Sequence, residues 1–504
     1  MFIIKGEVIR MKGDFSRDTF DHKKHYRRVL MQQGRVQVDA DWNEQASILL
    51  QYMQSLARDI IGPYGRPSST GPNGEKLDHF RIIGDGDSEF SGVENGKFNN
   101  AKGFLIGPGH YYVDGLLCEN EDWIAYNDQT GGPLTDINKL TQNRMLVYLD
   151  VWERHIAWCE EASNSMREVA LGLYGPDTAT RSQLVWQVRI HELETDNQNF
   201  ITTISRSNTK FNVNFEEFIK EIIPGDRGRL SAITQKQSGS GDKLCAASPS
   251  AKYLGLENQL YRVEIHQSTE SGKPTFKWSR DNGSSVFPVI EGKIRFPSDE
   301  NDKKMYVELA HLGLDESKAL KKGDWVEFVH ESYVLQNRAE SLLQVENIDL
   351  QTMEVTLVTK GKLPDASGAR LPILRRWDQC ESKNPKIGPN GDIPIKKIGS
   401  EGDFPIEPDW IDLEDGIQIK FEEEQNSDNP GYYYRTGDYW LIPARVATKD
   451  IEWIDELGGV SPHGIEHHYA PLAILTKDTT TSKLKVDTDY EFGIKKLPLK
   501  GDDL

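Results

Sequence analysis

Short runs of alternating apolar and polar residues, separated by turn signals, recur along this 504-residue chain from residue 104 onward. A run such as Tyr261–Ile265 places its apolar side chains on one face of a strand, because successive strand side chains point to opposite faces. The alternation of strand with long helix that predicts a doubly wound parallel sheet is absent from the sequence. The pattern therefore predicts a mainly β protein of several small antiparallel sandwich or barrel domains.

Turn residues also predict which strands pair. Asp114-Gly115 is a dipeptide that favours a hairpin, and Ser271-Gly272 separates two runs rich in β-branched and aromatic residues. The predicted pairs are Tyr111–Val113 with Leu116–Cys118, Tyr261–Ile265 with Thr275–Trp278, and Leu342–Val345 with Met353–Val358. Further strands are predicted at Phe104–Ile106, Met145–Trp152, Leu184–Ile190 and Trp325–Val329.

One long amphipathic helix is predicted from Trp42 to Ile61. Asp41 stands three residues before Glu44, as in a capping box, and Gly62-Pro63 ends the pattern. Apolar residues recur at steps of three and four, which gives the helix one apolar stripe. The stripe either packs on the core of its own chain or forms a coiled-coil-like seam between copies. The candidate interface residues are Trp42, Leu49, Leu50, Met53, Leu56 and Ile60.

The sequence divides where polar, Gly and Pro residues accumulate. Gln235–Lys243 is predicted to be a flexible surface segment, and a second break falls between Cys380 and Asp403. We therefore expect a basic arm and helix, a linker, and three β domains. Their predicted ranges are 1–65 for the arm and helix, 66–100 for the linker, and 101–232, 250–365 and 366–504 for the β domains.

Charge is unevenly distributed along the chain. The 60 Lys and Arg residues against 79 Asp and Glu residues give a net charge of −19, which disfavours nucleic acid as a partner. The first 35 residues are nevertheless net basic, and residues 401–430 are strongly acidic. This polarity either guides assembly or marks solvated faces. With no signal peptide pattern and no membrane-length apolar run, the chain is expected to be made in the cytoplasm without a membrane span.

Two segments carry residue types that bind metal ions. His463 and His467 are four residues apart with Glu466 between them, a spacing that suits a metal site on a helix. Pro462 and Gly464 favour an irregular loop, in which structural hydrogen bonding is the alternative role. Residues 85–89 alternate oxygen donors as a calcium loop does, but they lack the Gly and the terminal Glu of an EF-hand. No cofactor is expected.

No sequence motif identifies an enzyme. The nucleophile elbow, the phosphate-binding loop and the dinucleotide-binding fingerprint are all missing from the sequence, so the chain is expected to be structural or binding. Abundant carboxylates and tryptophans leave a glycan-acting enzyme or a surface-glycan ligand as alternatives. The tryptophans that either stack on sugars or fill cores are Trp152, Trp158, Trp186, Trp278, Trp325, Trp377 and Trp440.

Several segments resemble an uncharacterised family of bacterial proteins. Its members are often encoded beside contractile phage-tail-like particles, the extracellular injection systems. The resemblance implies a subunit of such a particle, at its baseplate, fibre attachment or another accessory position, or a cargo of the particle. It implies other particle subunits as partners, homo-oligomerisation, and release outside the cell as part of the particle. The segments that carry it are Gly13–Asp21, His25–Gln45, Gly109–Gly115, Asp150–Arg154, Arg167–Leu171, Gly175–Arg181, Phe276–Gly283, Arg376–Gln379, Tyr434–Arg445 and His463–Ala473.

Overall fold

The structure, a computed structural model, is mainly β, as the sequence predicts. Outside the described residues lie the first ten residues of the basic arm, the predicted flexible segment 235–243, and residues 401–409 and 423–430 of the acidic segment. The structure describes residues 11–67, 77–160, 177–193, 215, 218–219, 227–234, 252–299, 301–313, 318–380, 386–395, 410–422, 433–453 and 458–490.

Most of the described elements are short strands, and one of the described helices is long. The helices are α1 (Asp39–Ile61) and α2 (Glu331–Leu335), with 3₁₀ turns at His22–Lys24, Phe90–Gly96, Tyr126–Asp128, Ile137–Lys139 and Thr269–Ser271. The strands are β1 (Tyr64–Gly65), β2 (Ile82–Gly84), β3 (Phe104–Ile106), β4 (Gly109–Val113), β5 (Leu116–Asn120), β6 (Ile124–Ala125), β7 (Arg144–Ile156), β8 (Arg181–Glu192), β9 (Leu230–Thr234), β10 (Gln259–Ile265), β11 (Thr275–Ser279), β12 (Val286–Arg295), β13 (Lys304–Leu309), β14 (Trp325–Val329), β15 (Leu343–Asp349), β16 (Glu354–Val358), β17 (Ile373–Trp377), β18 (Ile393–Pro394), β19 (Ile411–Asp412), β20 (Ile417–Phe421), β21 (Tyr439–Arg445), β22 (Asp450–Ile451), β23 (His467–Lys477) and β24 (Leu484–Asp489).

The first apolar core is built on the long antiparallel pair β7–β8. Its sheet has the order β24–β23–β7–β8, so strands near the end of the described chain return to pair with β7. Two three-stranded sheets, β1–β4–β5 and β2–β3–β6, contribute side chains to the same core. Val147, Leu149 and Val151 alternate along β7 and are fully buried in it. This alternation is the period-two pattern of a strand with one face on the core.

The second core lies between the sheets β18–β11–β10–β21–β22 and β19–β20–β9. Between β11 and β18 the chain forms a closed barrel of six strands in the order β12–β13–β16–β15–β14–β17. Pairing of β12 with β17 closes it. Inward side chains alternate with outward ones, as closure requires, so Met305, Val307 and Leu309 of β13 are buried. The barrel therefore has an apolar core of its own.

The predicted strand pairs are confirmed. Strands β4 and β5 pair across Asp114 and Gly115, whose φ angles of 48° and 86° suit the type of turn that matches the twist of a two-residue hairpin. Strand β10 pairs with β11, and β15 pairs with β16. These hairpins follow from local turn chemistry, which is why the sequence predicts them.

Helix α1 is confirmed, but the predicted capping box at its start is wrong. The helix begins at Asp39, after Val38, whose side chain makes no capping hydrogen bond. Asp39 instead accepts a hydrogen bond from the backbone amide of Ser16 at 2.9 Å. Contacts with the preceding arm therefore fix the helix start. Gly62 ends the helix with φ 96° and donates its amide to the carbonyl of Arg58 at 2.8 Å, as the sequence predicts.

The apolar cores do not follow the order of the chain. The first core takes strands from both ends of the described sequence, and the barrel lies between two strands of the second core. Within the predicted linker, residues 66–100, the described part forms β2 and the 3₁₀ turn Phe90–Gly96, and Ile83 and Phe90 are buried there. How many units fold independently remains a prediction.

Candidate functional site

Helix α1 presents its predicted apolar stripe to solvent. The six side chains predicted as an interface are each 50–66% exposed. Ala40 and Ile48, on other sides of the helix, are buried. Packing on the described core of its own chain therefore does not account for the stripe, and its role as an interface remains a prediction. The six residues are Trp42, Leu49, Leu50, Met53, Leu56 and Ile60.

Five of these residues lie on one line along the helix. We call Trp42, Leu49, Met53, Leu56 and Ile60 the α1 seam. Their spacings of seven, four, three and four residues keep them on the same face, because an α-helix turns once in about 3.6 residues. This is the a/d spacing of coiled coils, in which each side chain inserts between residues of a facing helix.

The arm that precedes α1 adds to this exposed apolar surface. Residues 25–38 form neither helix nor strand, and nearly all of their side chains are exposed. More than half of the large exposed hydrophobic side chains in the described part of the chain fall between Tyr26 and Ile60. Concentrated apolar exposure of this kind marks binding surfaces, whereas scattered exposed apolar residues do not. The exposed arm residues are Tyr26, Leu30, Met31, Val36 and Val38.

Polar contacts hold α1 in place. The Thr19 hydroxyl donates to Glu44 at 2.6 Å, and the Val29 amide donates to the side chain of Gln45 at 2.9 Å. These contacts, with the one from Ser16 to Asp39, bind the first turns of the helix to the preceding arm. The α1 seam is therefore displayed by a positioned element and not by a free terminus.

A cleft of about 690 Å³ opens beside α1. Trp158 lines it with its ring stacked on His311, the ring centroids 5.7 Å apart. Glu153 and Asp177 also line the cleft, and Glu153 accepts a hydrogen bond from the Ser182 hydroxyl. An aromatic face beside carboxylates is chemistry that suits a sugar. Of the tryptophans considered for stacking, Trp152, Trp278, Trp377 and Trp440 are buried in the protein instead.

A second polar feature is a buried group of charges where β10 and β11 meet the barrel. We call Lys12, Arg262, Glu264, Lys277 and Glu327 the charge cluster. Glu264 accepts from Arg262 Nε at 2.6 Å, and its carboxylate lies 3.2 Å from Lys12 Nζ. Lys277 Nζ donates to Glu327 at 2.6 Å and lies 3.4 Å from Glu264. Buried charges persist only when paired in this way, so the cluster ties the arm, the second core and the barrel together.

The electrostatics of the cluster keep its carboxylates ionised. Burial disfavours the charged form of Glu327, but Lys277, His266 and Lys12 together outweigh it and lower the pKa of Glu327 to about 2. Glu327 also accepts from the Tyr333 hydroxyl at 2.6 Å and from the Trp377 indole at 2.9 Å. Burial lowers the pKa of Lys12 to about 8. The side chains of the charge cluster are therefore ionised and largely shielded from water.

Sequence reasoning missed this cluster. Arg262 and Glu264 alternate with apolar residues on β10, a pattern that normally places charges in solvent. Here both faces of the strand are buried, the apolar face against the second core and the charged face against the barrel. One signal was available, because the predicted hairpin sets Glu264 directly opposite Lys277. Opposite charges in cross-strand register stabilise a sheet, but register alone does not reveal burial.

The histidine-rich segment forms hydrogen bonds between strands. His467 Nδ1 lies 2.7 Å from one carboxylate oxygen of Asp150, and Arg189 lies 2.7 Å from the other. Burial lowers the pKa of His467, despite the nearby carboxylate. His463 forms a backbone bridge with Tyr439.

The predicted metal ligands are His463, Glu466 and His467. Glu466 is exposed, and His467 is bonded to a carboxylate. Within the described ranges, there is no group of three or more His, Cys, Asp or Glu side chains placed to hold a metal ion.

The segment that resembles part of a calcium loop, residues 85–89, binds backbone amides. Asp85 accepts from the amides of Gly103 and Leu484 at 3.0 and 2.7 Å. Asp87 accepts from two further amides, one of them in β24. These carboxylates therefore join β2 to its neighbours.

Among the described residues, no helix combines the length and the apolar character needed to cross a membrane. No curated protein and no solved structure matches the chain. A family model described as a family of unknown function (DUF6519) matches residues 11–215 and 223–480, which include α1 and the charge cluster. The chain therefore belongs to this family of unknown function, DUF6519.

Proposed function

We propose that this protein is a non-enzymatic structural component of a contractile injection system or related phage-tail-like particle, and that it assembles through the α1 seam. The observation that carries the proposal is the exposure of a coiled-coil-spaced apolar face on a positioned helix. The resemblance of segments such as Gly13–Asp21 to proteins encoded beside these particles supports the choice of machine. Synthesis and assembly in the cytoplasm, followed by release with the particle, belong to the same proposal.

The partner at the seam is a second copy of this chain. Coiled-coil spacing favours an equivalent helix as the facing surface, because matching a/d side chains interlock with one another. Charge supports the same partner. The exposed arm carries Lys23, Lys24, Arg27, Arg28 and Arg35, and the chain as a whole has a net charge of −19. A basic arm therefore finds an acidic surface on a neighbouring copy.

The particle itself provides the test of this function. Quantitative mass spectrometry of particles purified from a producing strain should find the protein in a fixed ratio to the other subunits. Leu49→Asp should reduce this ratio strongly, because a charge at a buried seam position is costly. Leu350→Asp, at a 71% exposed leucine outside the seam, serves as the control. Absence of the wild-type protein at every stage of assembly would contradict the proposal.

Deletion separates a structural subunit from a cargo. Particles that lack a cargo assemble normally, whereas particles that lack a structural subunit are incomplete or missing. We expect deletion to abolish intact particles in electron micrographs. Normal particle numbers and normal morphology would favour the cargo alternative.

A second candidate function is glycan recognition or cleavage at the 690 Å³ cleft. The observation that favours it is Trp158, a partly exposed ring beside Glu153 and Asp177. Incubation with peptidoglycan and a panel of surface glycans tests it by binding and by product release. Activity that disappears in Glu153→Gln or Asp177→Asn would favour an enzyme, and binding that disappears in Trp158→Ala would favour a lectin-like role. Inactivity on the whole panel would oppose both.

A further inference from the structure

A small chamber lies against the charge cluster, apart from the α1 seam. Its volume is about 180 Å³, and its wall includes side chains from strands of the three sheets that carry the apolar cores. Arg154 and His155 come from β7, Glu264 comes from β10, and Arg375 comes from β17 of the barrel. A concave polar space between packed units is the usual setting of a small-molecule site.

The buried wall of this chamber carries more positive than negative charge. Four cations and three anions in the wall have side chains less than a tenth exposed. At the rim, two cations face two anions, and Glu331, 24% exposed beside the chamber, adds a carboxylate that reaches Arg154 at 3.5 Å. The balance of charge is therefore close to even, and the quality of each pairing shows where a bound anion would be stabilised. The buried residues are Arg154, Arg262, Lys277, Arg375, Glu160, Glu264 and Glu327; the rim residues are Lys12, Arg338, Glu153 and Glu466.

The most loosely paired buried cations of the wall are Arg154 and Arg375. Both guanidinium groups share the carboxylate of Glu160, at 3.6 and 3.8 Å, whereas the pairs within the charge cluster reach 2.6 Å. Arg154 also reaches Glu331 at 3.5 Å, but its Nε, in a side chain only 4% exposed, has no hydrogen-bond partner among the described residues. Arg375 also donates to the carbonyl oxygen of Gly283, so the unused guanidinium donor at this depth is that of Arg154, and it calls for an acceptor.

His155 stands beside these arginines and shares their environment. Its Nε2 atom is buried and has no hydrogen-bond partner within the described part of the chain. Burial, together with Arg375 and other nearby cations, lowers the pKa of His155 well below its usual value. Burial also lowers the pKa of Lys12 at the rim; Glu264 opposes this effect, and Arg262 and Arg375 add to it. For both groups burial is the main cause of the lowered pKa, and the neighbouring cations contribute to it.

We propose that this chamber binds a small oxyanion, a phosphate or carboxylate group, at Arg154 and Arg375. Guanidinium groups recognise these anions because their N–H donors match adjacent oxygen acceptors. A volume of about 180 Å³ accommodates inorganic phosphate or a small dicarboxylate, but not a polymer. The occupied chamber joins all three cores, so the anion acts as a structural ligand of the assembled chain.

Calorimetric titration of the full chain tests the proposal. Inorganic phosphate and malonate serve as separate probes at constant ionic strength, with chloride as the reference anion. We expect one saturable site per chain for at least one probe, and a rise in melting temperature with its concentration. Binding of phosphate alone would identify the ligand as a phosphate group, and binding of malonate alone would identify it as a carboxylate group. Absence of saturable binding for both probes would overturn the proposal.

Variants locate the site. Arg154→Gln should weaken binding by about tenfold or more, because it removes a charged hydrogen-bond donor. Lys12→Met removes a rim cation whose side chain is 24% exposed, and Glu264 keeps Arg262 and Lys277 as partners, so we expect this variant to fold and to bind the anion more weakly. If Arg154→Gln does not fold, Lys12→Met decides the outcome. Arg295→Gln, at a 65% exposed arginine of the barrel, is the control and should bind as wild type does. Equal affinity in wild type and Lys12→Met would overturn this location.

Proton uptake gives a second readout that a purely structural role would not change. A bound anion favours the charged form of Lys12, whose pKa is about 8 without it. Binding at pH 8 should therefore take up protons, and the calorimetric heat should depend on the ionisation enthalpy of the buffer. Lys12→Met should lose this dependence. A buffer-independent heat in the wild type would contradict the proposed position of the anion.

Discussion

At Glu327, three donors converge on one buried carboxylate. Lys277, Tyr333 and Trp377 approach it at 2.6 to 2.9 Å, and they come from the second core and the barrel. Loss of its charge leaves Lys277 buried beside a weaker partner, and breaking a buried pair costs about 3–5 kcal/mol. We expect Glu327→Gln to lower the free energy of unfolding by roughly this amount, as measured by urea unfolding followed by tryptophan fluorescence.

A matched surface variant controls for the loss of one carboxylate. Glu346 pairs with Lys304 at 2.9 Å, but its side chain is 43% exposed. Exposed pairs contribute about 1 kcal/mol or less, so Glu346→Gln should unfold nearly as the wild type does. Equal effects of the two substitutions would show that burial is unimportant at Glu327.

The charge cluster also predicts how stability depends on acid. In the unfolded chain, Glu327 takes up a proton at its usual pKa of 4.5. In the folded chain, its carboxylate stays ionised down to about pH 2. Between these pH values the unfolded state therefore binds more protons than the folded state. The stabilisation that ionised Glu327 contributes is fully present above pH 4.5 and is lost as the pH falls toward 2. Glu327→Gln should have a shallower fall than wild type between these pH values in thermal unfolding. Parallel curves would contradict the assignment of an ionised Glu327.

At the residue scale, the sequence indicated that acidic side chains form hydrogen bonds at the start of α1, but not the residues to which they bond. Asp41 and Glu44 suggested a cap, but Asp39 and Glu44 bond to Ser16 and Thr19 of the arm instead. Such contacts depend on where the arm lies, which no local pattern encodes.

Among the elements, α1 rests on the turn between β4 and β5. A β-carbon at Gly115 would lie 2.3 Å from the backbone oxygen of Gln54 in α1, and Gly115 also has φ 86°. Gly115→Ala therefore combines backbone strain of about 1 kcal/mol with a clash that costs about 1–3 kcal/mol more. We expect a lower melting temperature and faster proteolysis of α1.

Gly272 offers the control for this change. It has φ 94°, but a β-carbon there would meet no atom within 4 Å. Gly272→Ala thus carries the backbone strain without the clash, and should be the milder variant in the same calorimetric scan. If both variants melt alike, α1 does not depend on close contact with the turn.

Elements with strong local signals were predictable from the sequence. Period-two alternation with turn dipeptides predicted the hairpins β4–β5, β10–β11 and β15–β16, and three- and four-residue steps predicted α1. The short strand β2 was missed because Gly, Asp and Ser dominate the sequence around it. It is buried by pairing with β3 and by contact with β24, whose residues lie far along the chain.

For the whole molecule, the sequence predicted the fold class but not the way the parts enclose one another. Strand β23 pairs with β7 although more than 300 residues separate Trp152 from its partner His467. The chamber arises only from this arrangement, because β7, β10 and β17, which line it, belong to three different sheets, and the charge cluster forms where β10 and β11 meet the barrel. The α1 seam, in contrast, was predictable because one helix contains it.

Self-association through the α1 seam is the central claim about the molecule, and sedimentation equilibrium of the purified chain tests it most directly. The wild type should show a concentration-dependent mass at a whole-number multiple of the chain mass. Met53→Asp, at a side chain 66% exposed in the single chain, should shift the mass to that of one chain while circular dichroism remains unchanged. Leu350→Asp should sediment as wild type does. A wild-type mass of one chain at every concentration, or an unchanged oligomer in Met53→Asp, would contradict the claim.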